Sequence, residues 1–257
     1  IKNSPQSLEL AVCLVQFKVF PDDTLLSSAV ADAICGQLRQ NPRSLLCLAA
    51  GHSSLGVFQE LVRRYRQNEV DFSQAGFLAM DEWLGMNRST PGSCSDFLIQ
   101  NFLSQVNFPP ERVRLIDGKA SDLQAECKAV RCSIAEAGGL DFILLGMGMN
   151  GHLALNEPGV DFTLSVHLTQ LDGTTKKVGQ KYFDSAPELT GGLTIGFADI
   201  AAAKNILLVV NGERKSQILQ KVMESPVTNL LPATGLKDLP NAALWCDRAA
   251  ASLCPAG

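Results

Sequence analysis

LDFILLGMGMNGHLALNEPG, residues 140–159, is the stretch from which the fold can be read. Phe142 to Leu145 show no alternation of apolar and polar residues. A strand of that kind is buried on both faces, the habit of a parallel sheet covered by helices. The run then meets glycines at 146, 148 and 151, which let the backbone turn tightly and approach a ligand. Asn150, His152, Asn156 and Glu157 follow before Pro158. Ligands of open parallel sheets bind beyond the carboxyl ends of the strands, so this loop is a candidate site.

Working outward, strands and helices alternate. Leu25 to Leu38 reads as a helix and SLLCLAAG, 44–51, as a buried strand. Leu55, Phe58, Val62 and Tyr65 then recur at spacings of three, four and three, one face of a helix. GFLAM (76–80) and RVRLID (112–117) are further apolar runs. A helix follows that opens on a capping box of Ser121 and Gln124, carries Leu123, Cys127, Val130 and Ile134 on one stripe, and closes on two glycines. LTIGF, NILLVVNG, a helix over about 213–224 and AALWCD complete the pattern. This alternation, without repeats or a linker, predicts one α/β domain over 1–257: a Rossmann-like, mostly parallel sheet with helices on both faces.

Composition narrows the function. The chain has 257 residues, of which 46% are apolar and 19% charged, and a net charge of −4. That balance excludes a general polyanion binder, and hence a nucleic-acid partner, while leaving room for a pocket that takes one phosphate. No apolar run approaches a membrane span. Eight cysteines without a C-x-x-C pair read as reduced, packed thiols of a cytoplasmic protein, not as a disulfide frame or a metal site. Apolar positions cannot be divided into core and interface by pattern, so a homo-oligomer stays open.

Four constellations fall at strand ends. After LLCL, Gly51, His52, Ser53 and Ser54 open a helix, where backbone N–H groups can hold a phosphate; Ser53 or Ser54 could equally be plain caps. After GFLA, Asp81 and Glu82 lie side by side on opposite faces of an extended chain, so one carboxylate can face the site as a base; two solvated acids is the blander reading. After FILL, His152 can exchange a proton near neutral pH, with Glu157 to orient it. After ILLVVN, Arg214 and Lys215 are either ligands for a phosphate or ordinary helix-end charges, and Lys181 in TKKVGQKYF is a further candidate.

The MDEW loop followed by GMGMNGHLALNEPG resembles the glucosamine-6-phosphate deaminase/isomerase family along nearly the whole chain. DEWLGMNRSTPGSCSDFL, GLDFILLGMGMNGHLALNEPG and HLTQLD are more similar still to its galactosamine-6-phosphate branch. The resemblance implies conversion of a 2-amino-2-deoxyhexose 6-phosphate and water into a ketohexose 6-phosphate and ammonia, with no metal or organic cofactor. It implies that Asp81 moves a proton between C2 and C1. His152, supported by Glu157, would open the pyranose ring, and Gly51–Ser54 with Lys181 and Lys215 would hold the phosphate. Two positions depart from the glucosamine-specific pattern. Lys181 replaces an arginine, and Asn150 replaces an aspartate, as a catalytic-loop residue expected to hydrogen-bond the imidazole. A 6-phosphogluconolactonase and a non-catalytic sugar-phosphate sensor are the rival readings.

Overall fold

Sheet order follows from where the unbroken apolar runs lie. The computed structural model describes residues 16–254, so Cys13 lies outside the described residues. In chain order the first elements are β1 (Gln16–Phe20), α1 (Asp23–Gln40), β2 (Leu45–Leu48), α2 (His52–Arg66), β3 (Gly76–Leu78), β4 (Asp81–Trp83), α3 (Cys94–Asn101), β5 (Val113–Arg114) and α4 (Leu123–Glu136). Then come β6 (Phe142–Gly146), β7 (His167–Gln170), α5 (Gly173–Gly179), β8 (Gly191–Thr194), α6 (Phe197–Ala202), β9 (Ile206–Val210), α7 (Ser216–Glu224) and β10 (Ala242–Asp247).

Seven strands form one sheet in the order β1-β10-β9-β6-β2-β3-β5, and every pair in it is parallel. The central strands β2, β6 and β9 bury essentially every residue. Successive side chains point to opposite faces, so both faces are covered by helices or loops. The chain runs outward from β2 to β3 and β5, then returns to place β6 on the other side of β2. The β2/β6 boundary is therefore the point where strand order reverses, and a crevice opens beyond the carboxyl ends of those strands.

Four expectations are corrected here. LTIGF does not join the parallel sheet: Gly191–Thr194 is the middle strand of a separate antiparallel sheet, β4-β8-β7. MDEW is likewise not a loop but strand β4 of that second sheet, entered two residues after β3 ends. The helix over 123–136 is capped by Asp122, not Ser121, because the Asp122 carboxylate accepts the N–H groups of Gln124 and Ala125, each at 2.9 Å. On α2, Phe58 and Val62 are buried as expected, but Val57 and Leu61 lie deeper than Leu55 and Tyr65, so the buried face is turned by about one residue. Of the cysteines, Cys35, Cys47, Cys127 and Cys246 are buried, Cys94 and Cys254 half-buried, and Cys132 is exposed on α4.

A stack of aromatic rings locks the first half of the sheet. Phe58 of α2 lies parallel to Phe102, just past α3, with ring centroids 4.9 Å apart, and Phe72, Phe77 and Phe108 close around them. Truncating one such ring costs about 3–5 kcal/mol, so α3 is firmly seated where it meets β4.

Candidate active site

Three loops and one strand converge at the crevice: 49–54 after β2, the strand β4 after β3, 147–157 after β6, and 211–215 after β9. These are the constellations expected from sequence, and the fold brings them together.

Asp81 opens β4, paired in register with Thr194 of β8. Asp81 is half-buried, while Glu82 is fully buried on the other face of the strand. Glu82 accepts the backbone N–H of Trp83 (2.9 Å), Cys94 (3.0 Å) and Ser95 (2.9 Å), fastening the start of α3 to β4. Only Asp81 is left facing the site, as strand alternation requires. Burial pushes Asp81 up to about 6; the Glu82 charge adds to this, and a hydrogen bond from the Cys94 thiol and the nearby His152 oppose it. A carboxylate tuned so close to neutrality is suited to taking and returning a proton.

The 146–157 loop is shaped by its glycines. Gly151 adopts φ +82°, and a Cβ there would run into Leu231. Gly148 lies flat under the His152 imidazole, so any side chain at 148 would displace the ring. His152 is 17% exposed at its side chain, and its Nδ1 lies 3.4 Å from Glu157 Oε2 and 3.1 Å from the Thr175 hydroxyl. Burial would raise the Glu157 carboxyl, but hydrogen bonds with His152, Thr175 and Asn150 outweigh it and hold Glu157 below the usual range.

Asn150 differs from the expectation. Its side chain does not bond the imidazole: Nδ2 donates to Glu157 Oε2 (2.8 Å) and to Asp172 Oδ1 (3.3 Å), and its Oδ1 accepts the backbone N–H of His152 (3.3 Å). Asn156 is a packing residue, wholly buried and donating to the carbonyls of Leu153 and Ile195.

A cationic pocket adjoins these groups. Gly51 takes φ +136°, where a Cβ would press on the Tyr182 hydroxyl, and α2 begins there with no side-chain cap on its first N–H groups. Ser53 packs beside Gly146 at the end of β6, which places the turn against the catalytic loop. Lys215 donates to the Met147 carbonyl and is pushed down to about 8, first by burial and then by Lys181. Burial and Arg214 lower Lys181; burial and Lys181 lower His52. Mutually repelling cations at a helix N-terminus make a site for a dianion. Thr175, Tyr182 and Cys94 were not foreseen in this arrangement, because none stands at a fixed spacing from the residues it meets. Two surface clefts lie away from this site: one of about 420 Å³ beside Arg63 and Arg66, and one of about 510 Å³ beside Arg88 and Arg114.

A family profile described as glucosamine-6-phosphate isomerases/6-phosphogluconolactonase matches residues 21–245. A glucosamine-6-phosphate deaminase of Lysinibacillus sphaericus is 37% identical over 217 residues, spanning 84% of this chain and 92% of that protein. One from Thermoanaerobacter pseudethanolicus is 32% identical over 231 residues, spanning 90% of this chain and 91% of its own. Among solved structures, a monomeric glucosamine-6-phosphate deaminase superposes with a TM-score of 0.90 at 28% identity, covering 93% of this chain and 99% of that one. A 6-phosphogluconolactonase from Leishmania guyanensis shares the fold, with a TM-score of 0.73 at 18% identity over 95% of this chain and 100% of that one.

Proposed function

Because the chain belongs to the glucosamine-6-phosphate isomerase/6-phosphogluconolactonase family, we propose that it is an amino-sugar phosphate deaminase/isomerase. Its substrate would be a 2-amino-2-deoxyhexose 6-phosphate, and its products a ketohexose 6-phosphate and ammonia. The observation that carries this reading is Asp81: a half-buried acid at the start of β4, raised to about 6 by burial and within the electrostatic reach of His152. A lactone hydrolase needs a base for water; an aldose–ketose shift needs a base that picks up a carbon-bound proton and gives it back one atom away.

The steps follow from that placement. The 6-phosphate docks on the Gly51–Ser54 turn with Lys181 and Lys215, fixing the sugar at its far end. His152 transfers a proton from the O1 hydroxyl to the ring oxygen O5, opening the pyranose to the aldehyde. Asp81 removes the C2 proton while the carbonyl oxygen O1 takes a proton from the substrate's own 2-ammonium group by way of His152, giving a C1–C2 enolamine; Asp81 then delivers the C2-derived proton to C1. The product is a C2 imine bearing a C1 hydroxyl. Water adds to C2, and the amine departs as ammonia. Glu157 steadies the imidazole through this exchange, and Asn150 holds Glu157.

Within the amino sugars, the galacto epimer is the proposed substrate, supported by the DEWLGMNRSTPGSCSDFL and GMGMNGHLALNEPG stretches; the relatives named above bear glucosamine names. Ammonia release from galactosamine 6-phosphate and glucosamine 6-phosphate, measured side by side with Asp81→Asn as control, tests both levels. Faster release from the galacto epimer that disappears in the variant is the expected result. Faster release from the gluco epimer would discard the epimer assignment alone. Hydrolysis of a 6-phosphogluconolactone, with no ammonia from either sugar, would overturn the reading.

A further inference from the structure

We propose that Thr175 is a positioning residue for His152, passing the charge of Glu157 to the imidazole through its hydroxyl and fixing which ring nitrogen is free. Glu157 Oε2, at 3.4 Å from Nδ1, is too far for a strong charge-assisted hydrogen bond, which runs at about 2.7–2.9 Å. Thr175 Oγ1 is closer, at 3.1 Å, and its hydroxyl is among the groups that hold the Glu157 carboxyl low. A hydroxyl has one proton to donate and lone pairs to accept with. A carboxylate on one side can only accept, so the chain of donors has one direction: His152 Nδ1–H to Thr175 Oγ1, and Thr175 Oγ1–H to Glu157. Nε2 is then the unprotonated nitrogen that meets the sugar oxygens.

The placement of Thr175 is well determined. Its side chain is 5% exposed, and it stands in the first turn of α5. Asp172 caps that helix by accepting the N–H of Thr174 at 2.7 Å, and the same carboxylate accepts Asn150 Nδ2 at 3.3 Å. The catalytic loop therefore grips α5 at its start and the Thr175 hydroxyl one turn in. The charged groups that face His152 are Glu157 from its own loop and Asp81 from β4; from α5 the contact is the neutral hydroxyl. Nothing in the spacing of HLTQLDGTT from MNGH marks Thr175 for this role.

The test pairs Thr175→Val, which keeps the shape and removes the hydroxyl, with Thr175→Ser, which keeps the hydroxyl. Its kinetic arm rests on the deaminase/isomerase reading; its spectroscopic arm does not. Nitrogen-15 spectra of the ligand-free protein should show the neutral His152 ring protonated at Nδ1 in the native chain and in Thr175→Ser, with the Nδ1–H signal lost or moved in Thr175→Val. With the amino-sugar phosphate as substrate, kcat should fall by about 10–100-fold in Thr175→Val with KM changed less than about twofold, and recover in Thr175→Ser. A native ring protonated at Nε2 would overturn the proposal even if Thr175→Val failed to fold. So would an unchanged Nδ1 signal and kcat in a folded Thr175→Val, a change confined to KM, or failure of Thr175→Ser to recover. Absence of any turnover in the native chain, with the nitrogen pattern as stated, would remove the assigned reaction and leave the hydrogen-bond chain standing.

Discussion

Replacing Asp81 by asparagine should make the protein more stable at neutral pH while abolishing turnover. Burial raises this carboxyl from 3.8 to about 6. In that window the folded chain holds a proton that the unfolded chain has released, so stability falls as pH rises from 3.8 through about 6. At about 1.4 kcal/mol per pKa unit the full cost of the ionised form is about 3 kcal/mol, and the half-buried position of Asp81 reduces it to about 1–3 kcal/mol. Asparagine keeps the shape and can still accept the Cys94 thiol hydrogen bond, but carries no charge to desolvate. The native penalty is complete above the raised pKa, so the variant's gain should be greatest there. For a chain of this size that is about 3–10 °C in Tm near neutral pH. Towards the unperturbed carboxylate value both proteins are uncharged at this position, and the gain should vanish. Thermal unfolding of the two proteins across this range, with ammonia release assayed in parallel, checks the chain of reasoning. A variant less stable than the native protein at neutral pH, or stabilised equally across the range, would refute the claim that desolvation sets the Asp81 proton affinity.

Gly148→Ala should lower kcat by about 100-fold in a folded protein, because its Cβ overlaps the His152 imidazole and swings the ring out of line; a crystal structure of the variant with the ring unmoved would contradict this. Lys215 is pushed down to about 8, so affinity for inorganic phosphate should weaken by up to about tenfold per pH unit above that point as its charge is lost. Lys215→Arg, charged throughout, should flatten that dependence when both are titrated by calorimetry.

The parts of this fold that could be read from sequence are those where one physical cause dominates. LLCL, FILL and ILLVV are buried on both faces, and no other environment tolerates such runs in a soluble chain. The loops that follow them inherit their position at the crevice, which is why Gly51–Ser54, His152, Glu157 and Lys215 could be singled out together. The second sheet was illegible for the opposite reason. Its strands have three or four residues each, and Gly191–Thr194 is as buried as any strand of the main sheet, so nothing local distinguishes the two sheets. The cap of α4 shows the limit at its smallest scale. Ser121 and Asp122 are both good caps, and the choice depends on backbone angles that lie outside the reach of residue preferences. Thr175 lies 23 residues from His152 on another element, and only the folded chain brings the two together.

Asn150 gathers these strands of reasoning into one residue. Judged by sequence it hydrogen-bonds the imidazole but, as an amide, offers it no negative charge. The folded chain gives it other neighbours: two carboxylates, Glu157 at 2.8 Å and Asp172 at 3.3 Å, both served by the one amide nitrogen. An ionised aspartate here would face like charges at that range, a repulsion of about 5–6 kcal/mol per pair at an effective dielectric near 20, screened further at the exposed Asp172. The loop would have to take up a proton or release α5, and Thr175 would leave with the helix. With asparagine, the loop, Glu157 and α5 share one hydrogen-bonded unit, and the negative charge beside His152 Nδ1 is that of Glu157. The amide is therefore the residue that this arrangement of α5 requires, and the imidazole is served through the acid that the amide holds in place.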